Sequence, residues 1–298
     1  MTEFVQAVVN GLGQGSIYAL LALGYVMIYK ATRVISFAQP ALMVVGGLLT
    51  YHFTEEFGLP FFVGMSLAIL GGALVGTVVE RLALRPMIGK PVFTLAIITI
   101  GVDIVLRIFS NNYIDVQPRI VNYPGGSERF RIGDVSVSHQ TLGLFAVTAV
   151  TVTALALFFQ YSRTGLAMRA TALDQETALA QGIRVGAIFA LAWAIAGGLA
   201  AIAGTFVAAG TAGMEQTSWI IALKALPAII IGGLDSIPGA VIGGLAVGLV
   251  ESLTAIYQPD VAPWLGRNFS LVAPYALMLV VLLVKPYGLF GTKEVERV

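Results

Sequence analysis

The sequence predicts an all-α fold, a polytopic membrane helix bundle of about eight or nine hydrophobic segments with one small extracytoplasmic β-hairpin. Three observations carry this. Of 298 residues, 57% are hydrophobic and only 11% are charged, against about 25% charged in ordinary soluble domains. So few charges cannot cover the surface of a soluble protein of this length. The apolar residues also fall in runs close to the roughly 20 residues that a helix needs to cross a hydrocarbon core. Between two of these runs, Phe130, Ile132, Val135 and Val137 alternate around Gly133-Asp134, the pattern of a short hairpin.

Taken in order, the first apolar segment runs from Phe4 to Tyr29 and contains Asn10 and Gln14. Glu3 precedes it and no basic residue comes before Lys30, so it reads as a retained helix rather than a cleaved leader. The second runs from Val34 to Phe53 and is interrupted by Pro40; the third covers Phe61–Val79 and the fourth Val92–Phe109. A polar extracytoplasmic loop, 111–140, holds the hairpin. The fifth segment covers Thr141–Phe159 and, after a cytoplasmic stretch at 163–185, the sixth covers Ala187–Ala209. Ile220–Tyr257 is apolar but broken by glycines and a proline between Gly232 and Gly239. It fits either two short spans or a re-entrant hairpin followed by one span. Leu271–Val284 closes the series, and residues 1–298 read as a single transmembrane domain.

Basic residues collect in four stretches: Lys30/Arg33, Arg81/Arg85/Lys90, Arg163/Arg169/Arg184 and Lys285/Lys293/Arg297. Short cytoplasmic loops are enriched in Lys and Arg, so these stretches are expected inside and the N-terminus outside. Glu3, Glu55, Glu56, Glu215 and Asp260 then fall on the outer face, together with Arg119, Arg129, Arg131 and Arg267.

Several chemistries are disfavoured. A net charge of +1 provides no footprint for nucleic acid. There is no cysteine, and the two histidines, His52 and His139, lie far apart, so no metal site is expected. The scattered acids offer no catalytic constellation and no catalytic residue is assigned.

Glycine pairs at helical spacing, Gly11/Gly15, Gly72/Gly76, Gly239/Gly243 and Gly244/Gly248, fit close helix packing in a bilayer. A weak internal echo links the segment from Pro40 to Leu48 with that from Pro227 to Leu234, the kind of matched, interrupted segments found in repeat-built transporters. Ionisable residues inside apolar segments are costly and therefore informative. Asp103 and Arg107, four residues apart, predict a structural ion pair toward the outer end of the fourth segment. Lys224 and Glu251 either pair with each other or meet the charges of a zwitterionic solute. Asn10, Gln14, Ser36 and Gln39 are candidates for a wet path, or for interhelical hydrogen bonds.

In the cytoplasmic stretch, Ala170, Asp174, Ala178 and Gly182 recur every four residues. On one helix they would form a narrow, small-residue stripe open to a partner, with Gly182 at the helix stop. The surrounding sequence from Gly165 to Ile183, GLAMRATALDQETALAQGI, resembles the coupling loop of the branched-chain amino-acid ABC permeases of the LivH type. The first helix from Asn10 to Tyr25 and the late block from Lys224 to Glu251 resemble the same family, in the same order. One departure stands out: Ser36-Phe37-Ala38-Gln39-Pro40 occupies the place where the family reads Asn-Phe-Ala-His-Gly.

The resemblance implies an importer subunit in the cytoplasmic membrane of a prokaryote, moving branched-chain or similar hydrophobic amino acids. It implies as partners a second homologous permease, two cytoplasmic ATPases and an extracytoplasmic substrate-binding protein. Gly165, Arg169, Ala170, Asp174, Ala178 and Gly182 would then couple the chain to the ATPases. No GxxxxGK[ST] stretch occurs, so this chain is expected to hold no cofactor and the ATP-Mg to sit on partner subunits. Urea or amide transport within the family, and a stand-alone secondary carrier, are the alternative readings.

Overall fold

The structure, a computed structural model, describes residues 2–87, 90–114, 116–126, 129–133, 135–266 and 268–292. Asp134, Arg267, Lys293 and Arg297, named above, lie outside them. The chain forms α1 (Thr2–Thr32), α2 (Gln39–Tyr51), α3 (Phe61–Val79) and α4 (Val92–Ile114), then β1 (Arg129–Ile132) and β2 (Val135–Ser138). It continues with α5 (His139–Tyr161), α6 (Arg163–Leu173), α7 (Gln175–Ala180) and α8 (Val185–Ala208). The last elements are α9 (Trp219–Leu223), α10 (Ala225–Gly232), α11 (Ile237–Val261) and α12 (Ala273–Val284). Among the described residues, six helices are long and apolar enough to cross a membrane: α1, α3 with its extension to Met87, α4, α5, α8 and α11.

The glycine pairs explain how these helices approach one another. A Cβ on Gly11 or Gly15 would collide with the α11 backbone at Gly248–Leu249 or Gly244–Leu245, so α1 and α11 lie antiparallel in backbone contact. Gly72 and Gly76 of α3 meet α8 at Gly197 and Trp193, and Gly239 and Gly243 of α11 meet α10 at Gly232 and Ala228. Each pair is a packing device. The echoed segments have become two short helices, α2 and α10, each packed through glycines against a long one, α8 or α11.

The second segment begins later than expected. Arg33 takes a left-handed conformation (φ 58°) that ends α1, residues 34–38 are not helical, and α2 starts only at Gln39. Pro40 is tolerated there because the first turn of a helix has no intrahelical use for its missing N–H. Backbone donors exposed by such a break must be satisfied inside the protein. Thr99 Oγ1 of α4 accepts from the Phe37 N–H at 3.0 Å, and Ser36 Oγ accepts from the Ala38 N–H at 3.3 Å. One turn beyond Thr99, the Asp103 carboxylate faces the Ala41 N–H.

In the glycine-broken region, Trp219–Gly232 is a short leg of two helices and α11 is a full-length one. Gly233 makes the turn between them with φ 107°. The chain end staples that turn: the N–H groups of Leu289 and Phe290 donate to the carbonyls of Ile231 and Gly232 at 2.8 and 3.0 Å. At the other end of the bundle β1 and β2 pair antiparallel, with Phe130 opposite Val137. The Gln6 side chain of α1 exchanges two hydrogen bonds with the Ser136 backbone (2.9 and 3.0 Å), which ties the hairpin down.

Candidate functional site

The hairpin end of the bundle opens into a cavity of about 530 Å³. α1 contributes Asn10, Gln14 and Tyr18, the short leg contributes Lys224, and α11 contributes Glu251. Four of the six path candidates therefore share one chamber. At its foot Lys224 forms an ion pair with Glu251 Oε1, and the Tyr18 hydroxyl donates to Glu251 Oε2 at 2.6 Å. Lys224 can reach because it interrupts the leg between α9 and α10, opposite an α11 held close by glycine contacts. Ile17, Leu144, Phe206, Val207 and Ile221 supply an apolar wall. The chamber thus offers a fixed positive charge, a fixed negative charge and an aliphatic surface.

Ser36 and Gln39 do not line it. Both are buried at the α2 break, where Ser36 caps the turn and Gln39 Nε2 donates to the Ala196 carbonyl of α8 at 3.2 Å. Gln39 thus fits the interhelical hydrogen-bonding reading, whereas Ser36 makes a local cap of its own turn. Asp103 and Arg107 are paired at 2.7 Å. The pair sits halfway along α4 instead of toward its outer end, because Asp103 also serves the α2 break. The Arg107 guanidinium stacks over the Trp219 ring of α9 at 4.2 Å, which joins α4 to the short leg.

The opposite end is basic. A second cavity of about 1110 Å³ is lined by Lys30, Arg33, Arg169, Asp235, Tyr287 and Thr292 among others. Lys90 lies with Arg33 and Gln175 around a smaller one, and the Arg85 guanidinium rests against Gly186. Burial alone would push the Asp235 carboxyl up. Hydrogen bonds from Thr292 and the charge of Lys30 outweigh it and hold the group below the ordinary carboxylate range.

The stretch at 163–185 lies on this end and differs from the expected single helix. It breaks at Asp174, which is extended (φ −154°, ψ 112°) and separates α6 from α7. The carboxylate is a helix cap: it accepts from the N–H groups of Glu176 and Thr177 at 2.9 and 3.1 Å. Ala178 is buried and Ala170 half-buried, so the small-residue stripe is not an open face. Gly165 is small because a Cβ would strike Phe158 and Phe159 at the α5–α6 corner. Gly182 (φ 80°) does end its helix, and the Ile183 N–H returns to the Ala178 carbonyl. The open face carries Leu166, Arg169, Leu173 and Leu179, with Leu173 85% exposed. In the sequence, the helical spacing of Leu166, Arg169 and Leu173, rather than the small-residue stripe, marks this exposed face. Two hydrogen bonds anchor the stretch to α1: Arg33 to the Ala172 carbonyl at 2.7 Å and Gln175 to the Ala31 carbonyl at 3.3 Å.

A multi-pass bundle that keeps a buried ion pair at the foot of an open polar chamber has the build of a membrane transport component. This chain belongs to the family described as branched-chain amino acid transport system, permease component, which matches residues 7–282. It is 31% identical to the high-affinity branched-chain amino acid transport system permease protein LivH of Escherichia coli (strain K12), over 99% of this chain and 98% of that protein. The same identity and coverage relate it to the corresponding protein BraD of Pseudomonas aeruginosa. A probable LivH of Methanocaldococcus jannaschii is 30% identical over 95% of this chain and 91% of that one. The chain is a permease component of an ABC transporter.

Proposed function

We propose that this chain is one permease subunit of a prokaryotic importer in the cytoplasmic membrane, carrying branched-chain or similar hydrophobic amino acids. The chamber at the hairpin end is the observation that carries the reading. A zwitterionic amino acid can exchange the Lys224–Glu251 pair for its own charges, carboxylate to Lys224 and ammonium to Glu251. Tyr18 keeps the Glu251 carboxylate oriented, and the aliphatic wall receives the side chain. Because the charges are already desolvated together, the exchange avoids the cost of stripping an isolated ion.

The basic end faces the cytoplasm. ATP is hydrolysed on two separate ATPase subunits, which dock on the leucine face of α6 and α7 beside Arg169. A second homologous permease completes the membrane part and an extracytoplasmic binding protein delivers the solute. Nucleotide-driven motion reaches α1 through the Arg33–Ala172 and Gln175–Ala31 bonds.

The test is uptake by the complete complex in proteoliposomes. Labelled leucine, isoleucine or valine should accumulate only with the binding protein outside and ATP inside, and Leu173→Asp should abolish ATP-driven uptake. Uptake of urea or amides in preference to leucine would reassign the cargo. Gradient-driven transport by this chain alone would sink the importer reading.

A further inference from the structure

The smaller cavity at the basic end has a lining that neither helix packing nor the coupling stretch accounts for. Its volume of about 300 Å³ lies at the lower end of the range of about 300–1,000 Å³ for small-molecule pockets. Its mouth is charged and its floor is apolar. Lys90 and Arg33 are exposed at the mouth, whereas Leu84, Phe189 and Trp193 are buried and Leu95 is half-buried. Neither cation enters an ion pair among the described residues; Arg33 Nη2 donates to the Ala172 carbonyl.

The polar groups of this lining are one-sided. No carboxylate stands among them. The hydroxyls of Thr32 and Thr99 are engaged, each donating to a carbonyl of its own helix and accepting a backbone N–H. The Trp193 indole is different. Its nitrogen is buried and has no hydrogen-bond partner among the described residues, and an indole N–H can only donate. An unpaired buried donor carries a penalty that a ligand oxygen would remove. Two cations and a free N–H call for acceptor oxygens and negative charge, and no anion there balances an ammonium group.

The cavity also sits where the coupling stretch meets the bundle. Arg33 and Gln175, both in its lining, make the two bonds that fasten residues 163–185 to α1. Thr99 holds the α2 break. A molecule seated here touches α1, α4, α7 and α8 at once, and by binding this arrangement it favours it over any other.

We propose that this cavity is a cytoplasmic inhibitory site for a small hydrophobic monocarboxylate without an ammonium group, of the 2-oxo acid class. The carboxylate sits between Lys90 and Arg33, the aliphatic part lies against Leu84, Leu95 and Phe189, and Trp193 donates to a ligand oxygen. Once bound, the acid holds the coupling stretch on α1 and slows the transport cycle, a role that rests on the permease reading above.

The probe is 4-methyl-2-oxopentanoate, which carries an oxo oxygen where leucine has its ammonium group. Trapped inside proteoliposomes with the complete complex, it should slow ATP-driven leucine uptake severalfold; added outside, it should not. Labelled probe should bind the purified complex, and leucine should displace it about tenfold less well than the unlabelled acid. Lys90→Gln, at an exposed side chain, and Trp193→Phe should each weaken binding about tenfold, the loss of one hydrogen bond to a charged group. Lys90→Arg should retain binding. The proposal is overturned by the absence of saturable binding, by equal displacement by leucine, or by full binding in Lys90→Gln. Binding that leaves uptake unslowed, or inhibition from the outside alone, overturns it as well. A complex that binds the probe yet takes up no leucine in its absence overturns the permease reading instead.

Discussion

α1 and α5 are both membrane-length helices, yet they are built for opposite surroundings. α1 is the least hydropathic of the six, with Asn10, Gln14 and Tyr18 along it, and 83% of its apolar window is buried. α5 is the most hydropathic and only 22% of its window is buried; Val150, Leu157 and Tyr161 point outward. In water the apolar helix would be the one inside. In a bilayer the lipid tails are as apolar as leucine, so helices associate through close backbone packing and polar contacts instead. The interior therefore goes to the helix with glycines and hydrogen-bonding groups.

This contrast can be broken in order of expected effect. Glu251→Gln leaves the Lys224 ammonium buried without its counter-charge, a loss of about 3–5 kcal/mol. It should show as a large fall in the Tm of the detergent-purified protein. Lys224→Met combined with Glu251→Leu should recover most of that stability while uptake stays abolished; recovered uptake would remove the pair from the transport site. On the lipid side, Val150→Arg places a charge in the hydrocarbon region at about 2.5–3.5 kcal/mol, and the fraction of chain inserted should drop accordingly. Gly248→Leu forces α11 off α1 and should cost about 1–3 kcal/mol or more, read as lower Tm. Val150→Leu, which only enlarges a side chain already in lipid, should stay within about 0.5 kcal/mol. A large effect there would mean that α5 is covered by protein.

Much of this contrast could be read from the residues, and the parts that could not share a cause. The long apolar runs announced their helices because spanning length is a local property; the third, Phe61–Val79, matches α3 end to end. The glycine pairs announced close packing, but only three-dimensional pairing shows that Gly11 and Gly15 meet Gly248 and Gly244. Asp174 misled because a fourfold spacing is compatible with one helix, whereas its short carboxylate competes for backbone donors and starts a new one. The start of α2 was hidden because it depends on Thr99, Asp103 and Ala196, all far away in the chain. Among the polar path candidates, pairing of Lys224 with Glu251 was one of two readings open from the sequence, but only the three-dimensional packing puts Asn10 and Gln14 of α1 in the same chamber as that pair.

The dependence of α2 on distant partners bears on how the protein is made. While the chain emerges from the ribosome, residues 34–38 have no acceptor for the Phe37 N–H until Thr99 has been synthesised, and Gln39 has no carbonyl to reach until Ala196 follows. An unsatisfied backbone donor is not stable in lipid. The segment after α1 must then wait at the membrane surface or inside the insertion machinery, and settle to its final depth only after α4 and α8 have been delivered. Biogenesis of this subunit is accordingly not strictly sequential: α2 is completed only after α4 and α8 have followed it.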